Sequence, residues 1–191
     1  RLCIEVEVNV VYDALGNPTD KIVRFKDVTK FNSQNDELTY LAYYDVLTGL
    51  YNRNYFVRHL GEYIRRAEDE NETVAVMFLD FDDFRRINDG MGIIVGDELV
   101  QLFGQFLSDL IGDNIIISHF NSDIFCIAIY SPCGARSVET IYKTINERLK
   151  KPFKLSGGPE IFLTVSVGVA EYPEASTNTL ELINCAEIVM F

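Results

Sequence analysis

Apolar and polar residues alternate strictly over residues 2–10, and this period of two predicts a half-buried β-strand. A turn signal, Gly16-Asn17-Pro18, separates it from a second predicted strand over residues 21–28. Two strands alone are only marginally stable in water, so this hairpin must pack against something or close a domain that lies upstream. Residues 35–44 are predicted to form a short helical linker.

From residue 45 onward, segments with helical spacing alternate with continuous apolar runs. A helix is predicted to begin at Asp45, and the apolar run over residues 74–79 predicts a strand that is covered on both faces. The later segments predict, in order, a helix opening at Gly96-Asp97, a hairpin of strands 115–120 and 124–130, a helix over 138–149, a strand over 161–170 and a last helix from Leu180. This order predicts an α+β fold, a mixed sheet flanked by helices.

Composition narrows the class of protein. The 191 residues are 48% hydrophobic, which suits one globular domain with a short extra segment. The net charge of −12 argues against nucleic-acid binding, because basic surface is needed to displace counterions. We expect no membrane segment, since no apolar run reaches about 18 residues. We also expect no signal peptide, since the chain does not open with a charged and then apolar stretch. The four cysteines form no CxxC pair, so we expect a reduced, cytoplasmic protein with buried thiols.

Three carboxylates, Asp80, Asp82 and Asp83, arrive directly after the predicted buried strand. Strand ends are common ligand sites in α/β proteins, and carboxylates placed there can hold Mg²⁺ together with substrate phosphates. The alternative is that Asp82 or Asp83 only caps the helix that follows, and for an isolated acidic cluster that alternative is favoured.

A second group of polar residues follows, with Asn88 and Asp89 before Gly92 and then Gly96-Asp97. An amide and a carboxylate can together read the edge of a guanine base, because they match its acceptors and donors. Turn residues and a helix N-cap explain the same pattern equally well.

The predicted hairpin turns through Asn121, Ser122 and Asp123, which we call the hairpin tip. A hairpin beside the central strand would bring Asp123 near Asp80, and two carboxylates that meet across strands can form a metal site of the polymerase and cyclase type. Asn, Ser and Asp are also ordinary turn residues, and spacing alone favours that interpretation.

Three blocks together resemble the GGDEF family of bacterial signalling domains. Residues 45–53 (DVLTGLYNR) are similar to its opening motif, residues 79–99 to its LDIDxFKxINDxxGHxxGDxxL block, and residues 164–170 (TVSVGVA) to its TVSIGVA strand. The blocks occur in order and cover the chain from about Asp45 to the end. The resemblance implies a cyclase-like, palm-like fold with a five-stranded mixed sheet flanked by helices.

Members of this family condense two GTP into cyclic di-GMP, with two domains face to face, each holding one GTP and two divalent metals. The resemblance implies that Asp80, the Phe81 carbonyl and Asp123 bind Mg²⁺ or Mn²⁺, with Asp80 and Asp123 as the catalytic acids. Binding in that mode would make GTP the ligand and a homodimer the active form.

The nucleotide contacts carried over from the family lie on the central block. Asn88 and Asp97 match the guanine contacts, and Arg85 matches a phosphate-binding lysine. Phe84 lies in the stretch 81–85, whose backbone N–H groups would face the phosphates as loops that enter helices do.

The departures from the family lie at the hairpin tip. Where the family has Gly-Gly-Asp-Glu-Phe, residues 121–125 read NSDIF, so Ile124 replaces a catalytic acid and Ser122 replaces a glycine that permits positive φ. His119 stands where an arginine is usual. Gly112 and Ile115 occupy the positions of the inhibitory RxxD site, so we expect that product site to be absent. A phosphate-binding lysine of the family would lie beyond Phe191, which predicts weak nucleotide binding by this fragment.

The sequence therefore favours a degenerate GGDEF domain that acts in regulation, over residues 45–191. Residues 1–31 resemble the end of a PAS sensor domain, and residues 32–44 would be the linker. An upstream sensor and a downstream output domain, such as an EAL-type phosphodiesterase, are the expected partners. Two alternatives remain, a slow cyclase that uses Asp80 and Asp123, and a ligand-free dimerisation module.

Overall fold

A computed structural model describes residues 4–12, 18–27, 39–131, 136–158 and 160–190. The chain divides into two compact units, residues 1–41 and residues 42–191. The first unit contains the strands β1 (Ile4–Tyr12) and β2 (Pro18–Asp27), which pair antiparallel. This confirms the predicted hairpin, whereas residues 13–17 of its turn and Val28 lie outside the described residues. Residues 39–43 are helical (α1), and the predicted linker residues 35–38 also lie outside.

The second unit is built on one mixed sheet, as the sequence predicts. Its strand order is β3-β5-β6-β4-β9, with β3 parallel to β5 and the other neighbours antiparallel. The strands β7 and β8 pair with each other outside this sheet. The elements are β3 (Tyr51–Asn52), α2 (Arg53–Glu70), β4 (Thr73–Phe81), α3 (Phe84–Met91), α4 (Ile93–Ser108), β5 (Ile115–Asn121), β6 (Ile124–Ser131), α5 (Arg136–Leu149), β7 (Phe153–Lys154), β8 (Glu160–Ile161), β9 (Val165–Tyr172) and α6 (Thr179–Met190).

The central strand β4 is buried on both faces, which explains its continuous apolar run. Alternate residues of β4, such as Val76 and Phe78, join the core beneath α2 and α6. Their neighbours, such as Met77 and Leu79, join a second core with α4 and α5. Because side chains alternate along a strand, the two cores lie on opposite faces of the sheet.

Helix α6 packs very closely on the edge strand β9. A Cβ atom built on Gly168 would lie 2.0 Å from the carbonyl oxygen of Ala186 and 2.6 Å from the backbone nitrogen of Met190. The glycine therefore allows the backbones of the strand and the helix to approach each other.

The predicted start of a helix at Asp45 is wrong, because α2 begins at Arg53. The Asp45 carboxylate accepts hydrogen bonds from the backbone N–H of Thr48 (2.8 Å) and from its hydroxyl (2.7 Å), and Gly49 has a φ of 72°. The Asn52 side chain accepts from the N–H of Tyr55 and caps the helix. Side-chain bonds to the backbone thus favour a turn over a helix here.

Two further boundaries differ from the prediction. Helix α4 begins at Ile93 and not at Gly96, and an additional helix, α3, precedes it across Gly92, whose φ is 91°. The single strand predicted over residues 161–170 is divided, because β8 pairs with β7 whereas β9 pairs with β4.

Among the cysteines in the described residues, Cys126 is a buried free thiol, as expected. Cys185 is also free but only half-buried, and Cys3 and Cys133 lie outside the described residues. Burial raises the pKa of the Cys126 thiol well above its ordinary value, which makes it unreactive.

Among the described helices, none is both long and apolar enough to cross a membrane.

Candidate functional site

The candidate site lies where β4 ends beside the hairpin tip. Asp80 is paired across the strands with Ile124 of β6, and the backbone N–H of Phe81 donates to the carbonyl oxygen of Asp123 (3.4 Å). The antiparallel register of β4 and β6 therefore brings Asp123 beside Asp80. These two carboxylates are the pair that the sequence expected to meet.

The charge of this pair is reflected in the pKa of Asp80. Partial burial, the charge of Asp123 and a hydrogen bond between the two carboxyl groups raise the pKa of Asp80 to about 6. Asp82 adds a smaller repulsion in the same direction. A divalent cation between the carboxylates would relieve this repulsion, because an opposite charge favours the ionised form.

The donors at this position suit Mg²⁺ bound together with phosphates. Asp80, Asp123 and the Phe81 carbonyl supply hard oxygen atoms, and Mg²⁺ commonly takes one or two carboxylates and fills its other positions with water and phosphate. In the described part of the chain, no group of three or more His, Cys, Asp or Glu side chains could hold a metal by itself. Two carboxylates and a carbonyl oxygen fit a metal whose remaining positions are filled by water and phosphate.

Ile124 turns toward the apolar face of the sheet beneath α2 and α6. Its half-buried side chain packs against the core that contains Phe78, and it lines a pocket of about 160 Å³ with Arg53 and Glu187. A hydrocarbon side chain in this place can neither ligate a metal nor accept a proton.

The backbone of the hairpin tip adopts a positive φ, the conformation for which the family motif has a glycine. Ser122 has a φ of 46°, in the left-handed region that favours glycine. The Nε2 atom of His119 lies 3.1 Å from the carbonyl oxygen of Ser122, and its Nδ1 atom lies 2.9 Å from Oδ1 of Asp45. The His119 imidazole thus contacts the tip and the turn at Asp45 at the same time.

The predicted guanine contacts lie where α3 meets α4. The Oδ1 atom of Asn88 is buried without a hydrogen-bond partner, and a Cβ built on Gly96 would lie 1.9 Å from it. Gly96 therefore makes room for the Asn88 side chain, next to Asp97. Asp97 lines a pocket of about 510 Å³ together with Leu47 and residues of α4.

The two residues expected near the phosphates are placed differently from each other. The side chain of Arg85 is 93% exposed, with its Nε atom 3.7 Å from Oδ2 of Asp89. Phe84 is buried, and its ring packs edge-on against Phe81 with a centroid distance of 5.6 Å. The backbone of Phe84, and not its buried ring, is therefore suited to contact a ligand. The side chain of Arg85 projects into solvent.

The sequence did not single out Ser166, which lies directly opposite Asp80 on β9. Its hydroxyl donates to Oδ1 of Asp82 (2.7 Å), and the N–H of Asp82 donates to the carbonyl oxygen of Thr164 (3.0 Å). These bonds hold the loop that follows Asp80, so Asp82 is not a helix cap. Asp83 occupies the N-cap position with no side-chain capping bond. The polar position within the apolar strand 165–170 was the signal for Ser166.

Comparison with known families agrees with this geometry. The family described as "Diguanylate cyclase, GGDEF domain" matches residues 42–191. The chain belongs to the GGDEF family.

Two curated relatives match the chain over part of their own length. The signaling protein YkoW of Bacillus subtilis is 33% identical over 189 residues, 98% of this chain and 23% of that protein. The cyclic di-GMP phosphodiesterase NbdA of Pseudomonas aeruginosa is 30% identical over 153 residues, 80% of this chain and 19% of that protein. The chain thus spans about a fifth of the length of these relatives.

Solved GGDEF domains share the fold. The GGDEF domain of TpbB from Pseudomonas aeruginosa is 26% identical with a TM-score of 0.73, covering 77% of this chain and 86% of that chain. A sensory box/GGDEF family protein from Caulobacter crescentus is 27% identical with a TM-score of 0.72, covering 78% and 96%. The predicted α+β fold with its mixed five-stranded sheet is confirmed.

Proposed function

We propose that this chain is a regulatory GGDEF domain that binds GTP with Mg²⁺ and forms cyclic di-GMP slowly or not at all. The observation that carries the proposal is the arrangement at the end of β4. Asp80 lies beside Asp123, while Ile124 occupies the place directly across from Asp80. The site keeps the carboxylates of Asp80 and Asp123, and Ile124 stands where the family motif has its second acid.

The proposed metal ligands are Asp80, Asp123 and the carbonyl oxygen of Phe81. Their hard oxygen atoms and the raised pKa of Asp80 support this assignment. A bound Mg²⁺ would supply charge neutralisation at the triphosphate. The chain itself would orient the phosphates through the loop that Ser166 and Thr164 hold in place.

The proposed base contacts are Asn88 and Asp97. The unpartnered Oδ1 of Asn88 and the pocket beside Asp97 support recognition of a base that carries both donors and acceptors, such as guanine. Arg85 would reach the phosphates from solvent, and the backbone N–H of Phe84 would do so at the start of α3.

Slow turnover follows from the side chain of Ile124. Removing one group that stabilises a transition state commonly costs about 3 kcal/mol, or roughly 10²–10³ in rate. Because the Asp80 and Asp123 pair is intact, a slow cyclase is the second candidate function.

We further propose a context for the domain. Residues 1–31 would end an upstream sensor, residues 32–44 would be the linker, and residues 45–191 would be the GGDEF domain, which acts as a homodimer. The name of the relative NbdA, a cyclic di-GMP phosphodiesterase, supports an EAL-type phosphodiesterase as the downstream partner.

The deciding experiment measures thermal stability and product formation together. GTP with Mg²⁺ should raise the melting temperature, because a ligand that binds only the folded state stabilises it by about 2.7 kcal/mol at 100 times its Kd. ATP, and GTP with EDTA, should have little effect, and chromatography should detect little cyclic di-GMP. Rapid product formation that Asp80→Asn abolishes would establish the cyclase. No shift with any guanine nucleotide, in a chain that continues past Phe191, would leave a dimerisation module.

A further inference from the structure

Two hydrogen bonds join Asp82, the first residue after β4, to the edge strand β9 and the residue before it. The hydroxyl of Ser166 donates to Oδ1 of Asp82 (2.7 Å), and the backbone N–H of Asp82 donates to the carbonyl oxygen of Thr164 (3.0 Å). Asp82 is therefore held on the β9 side of the sheet through its side chain and through its backbone at the same time.

The bond from Asp82 to Thr164 also sets the direction of the Phe81 carbonyl group. Across a planar trans peptide, the C=O of one residue and the N–H of the next point in opposite directions. The strands β6 and β9 flank β4 on opposite sides. Because the N–H of Asp82 points toward β9, the carbonyl oxygen of Phe81 points toward the β6 side.

Asp123 lies on that same side of β4, and its hydrogen bonding with Phe81 is one-sided. The N–H of Phe81 donates to the carbonyl oxygen of Asp123 (3.4 Å). Opposite residues of an antiparallel ladder commonly exchange two bonds, but the reciprocal bond, from the N–H of Asp123 to the carbonyl oxygen of Phe81, is not formed between these two described residues. The Phe81 oxygen is thus directed to the side of Asp123 without being used by that residue.

We propose that Ser166 is a positioning residue of the metal site. Its hydroxyl holds the Asp82 carboxylate against β9 and thereby keeps the peptide between Phe81 and Asp82 with the Phe81 oxygen on the side of Asp123. Ser166 acts through Asp82 and is not itself a metal ligand. The inference rests on the proposed function, because it concerns the orientation of one of the three proposed ligands.

Titration calorimetry with GTP, in a chain that continues past Phe191, measures the effect on the metal. Ser166→Ala should weaken binding of GTP with Mg²⁺ about ten-fold, as loss of a group that orients a metal ligand commonly does, and should leave binding of GTP with EDTA unchanged. The bond is exposed, so its loss should leave the fold intact. A general disturbance of the fold would weaken both modes of binding alike.

Two further variants are matched to this one. Ser166→Thr keeps the hydroxyl and should bind GTP with Mg²⁺ as the wild type does. Ser176→Ala removes a bond of the same kind, from the Ser176 hydroxyl to Oε2 of Glu181 (3.0 Å), beyond the opposite end of β9. It should also bind as the wild type does.

Substitutions of Asp82 separate positioning from direct ligation. Asp82→Asn keeps an oxygen that accepts from Ser166 and should retain most of the affinity, whereas Asp82→Ala should lose about as much as Ser166→Ala. The double variant with both alanines should bind no more weakly than Asp82→Ala, because the two residues act through one bond. An equally large loss in Asp82→Asn and Asp82→Ala would show that Asp82 ligates the metal directly and would overturn the inference.

A spectroscopic measurement observes the carbonyl group itself. With Mn²⁺ in place of Mg²⁺ and ¹³C at the carbonyl carbon of phenylalanine, electron–nuclear double resonance should detect a coupling between the metal and the labelled carbon. Phe81→Leu assigns this coupling among the 13 phenylalanines, because it removes the label at residue 81. The coupling should be lost in Ser166→Ala and kept in Ser166→Thr.

The failure of the inference and the failure of the proposed function give different results. If Mg²⁺ did not strengthen binding of GTP to the wild type, the proposed metal site would be wrong and the inference with it. If Mg²⁺ did strengthen it, and Ser166→Ala kept the full affinity and the full ¹³C coupling, the inference alone would be overturned.

Discussion

Asp80 lies directly opposite Ile124 in the antiparallel pairing of β4 and β6. Cross-strand partners place their side chains on the same face of a sheet, so these two residues are neighbours at the edge of the site. One is a carboxylate that stands beside Asp123, and the other is a hydrocarbon that packs on the core beneath α2 and α6.

Asp80→Asn should stabilise the metal-free protein at neutral pH. Because the pKa of Asp80 is raised to about 6 in the folded protein, its neutral carboxyl group contributes fully to stability below about pH 4. That contribution is lost as the pH rises through about 6, so the charged carboxylate is unfavourable at neutral pH. Because Asp80 is partly solvated, we expect a gain of about 1 kcal/mol or less. Urea unfolding with EDTA measures it, with Asp69→Asn as the exposed control. A variant less stable than the wild type would contradict the proposed repulsion.

Ile124→Glu should place a third carboxylate opposite Asp80. Without metal, it should lower the free energy of unfolding by about 1–3 kcal/mol, because a charged group enters a half-buried apolar place. GTP with Mg²⁺ should recover that stability and raise the rate of product formation.

Ile124→Gln is the matched control for this substitution, since it has the same length and no charge. Ile124→Gln should be less stable than the wild type, and GTP with Mg²⁺ should not restore the stability that it loses. Equal behaviour of the two variants would show that position 124 does not face the metal.

Gly96→Ala should weaken binding of guanine nucleotide. The added Cβ would lie 1.9 Å from Oδ1 of Asn88 and 3.1 Å from the ring of Phe84, so Asn88 must move. Loss of one polar contact to a base lowers affinity roughly ten-fold, which titration calorimetry measures.

Gly61→Ala makes the same change inside α2 and is the control. Its Cβ would lie 3.6 Å from Oγ1 of Thr179, an ordinary contact. Alanine is favoured over glycine in a helix by about 1 kcal/mol, so this variant should be more stable and bind nucleotide normally. Normal binding by Gly96→Ala as well would argue against a role for Asn88.

Asp45 should make the domain sensitive to acid. Burial raises its pKa, but the contacts with His119 and Thr48 outweigh this and bring the pKa to about 2. The stabilisation is therefore present above about pH 4 and is lost as the pH falls through about 2, with an upper bound of roughly 2–3 kcal/mol. Denaturant unfolding across this range should give a flatter profile for Asp45→Asn than for the wild type. If the free energy of unfolding changed with pH in the same way in Asp45→Asn and the wild type, the contacts of Asp45 with His119 and Thr48 would not stabilise the fold.

The sequence determined the elements whose signal is local. The apolar run of β4, the hairpin of β5 and β6 and the polar tip between them all depend on short-range periodicity and turn chemistry. Because Asp80 follows the buried strand and Asp123 closes the hairpin, the sequence also indicated that they would meet. The family motif then identified Ile124 as the position where a catalytic acid is replaced.

Only the tertiary structure decided the contacts between segments that are distant in the chain. The turn at Asp45 replaced the expected helix because Thr48 and His119 hold its carboxylate. The space for Asn88 depends on how closely α3 approaches Gly96, and Ser166 joined the site through the register of β9 with β4. Such contacts are fixed by packing between whole elements, and periodicity along one segment carries no information about its distant partner.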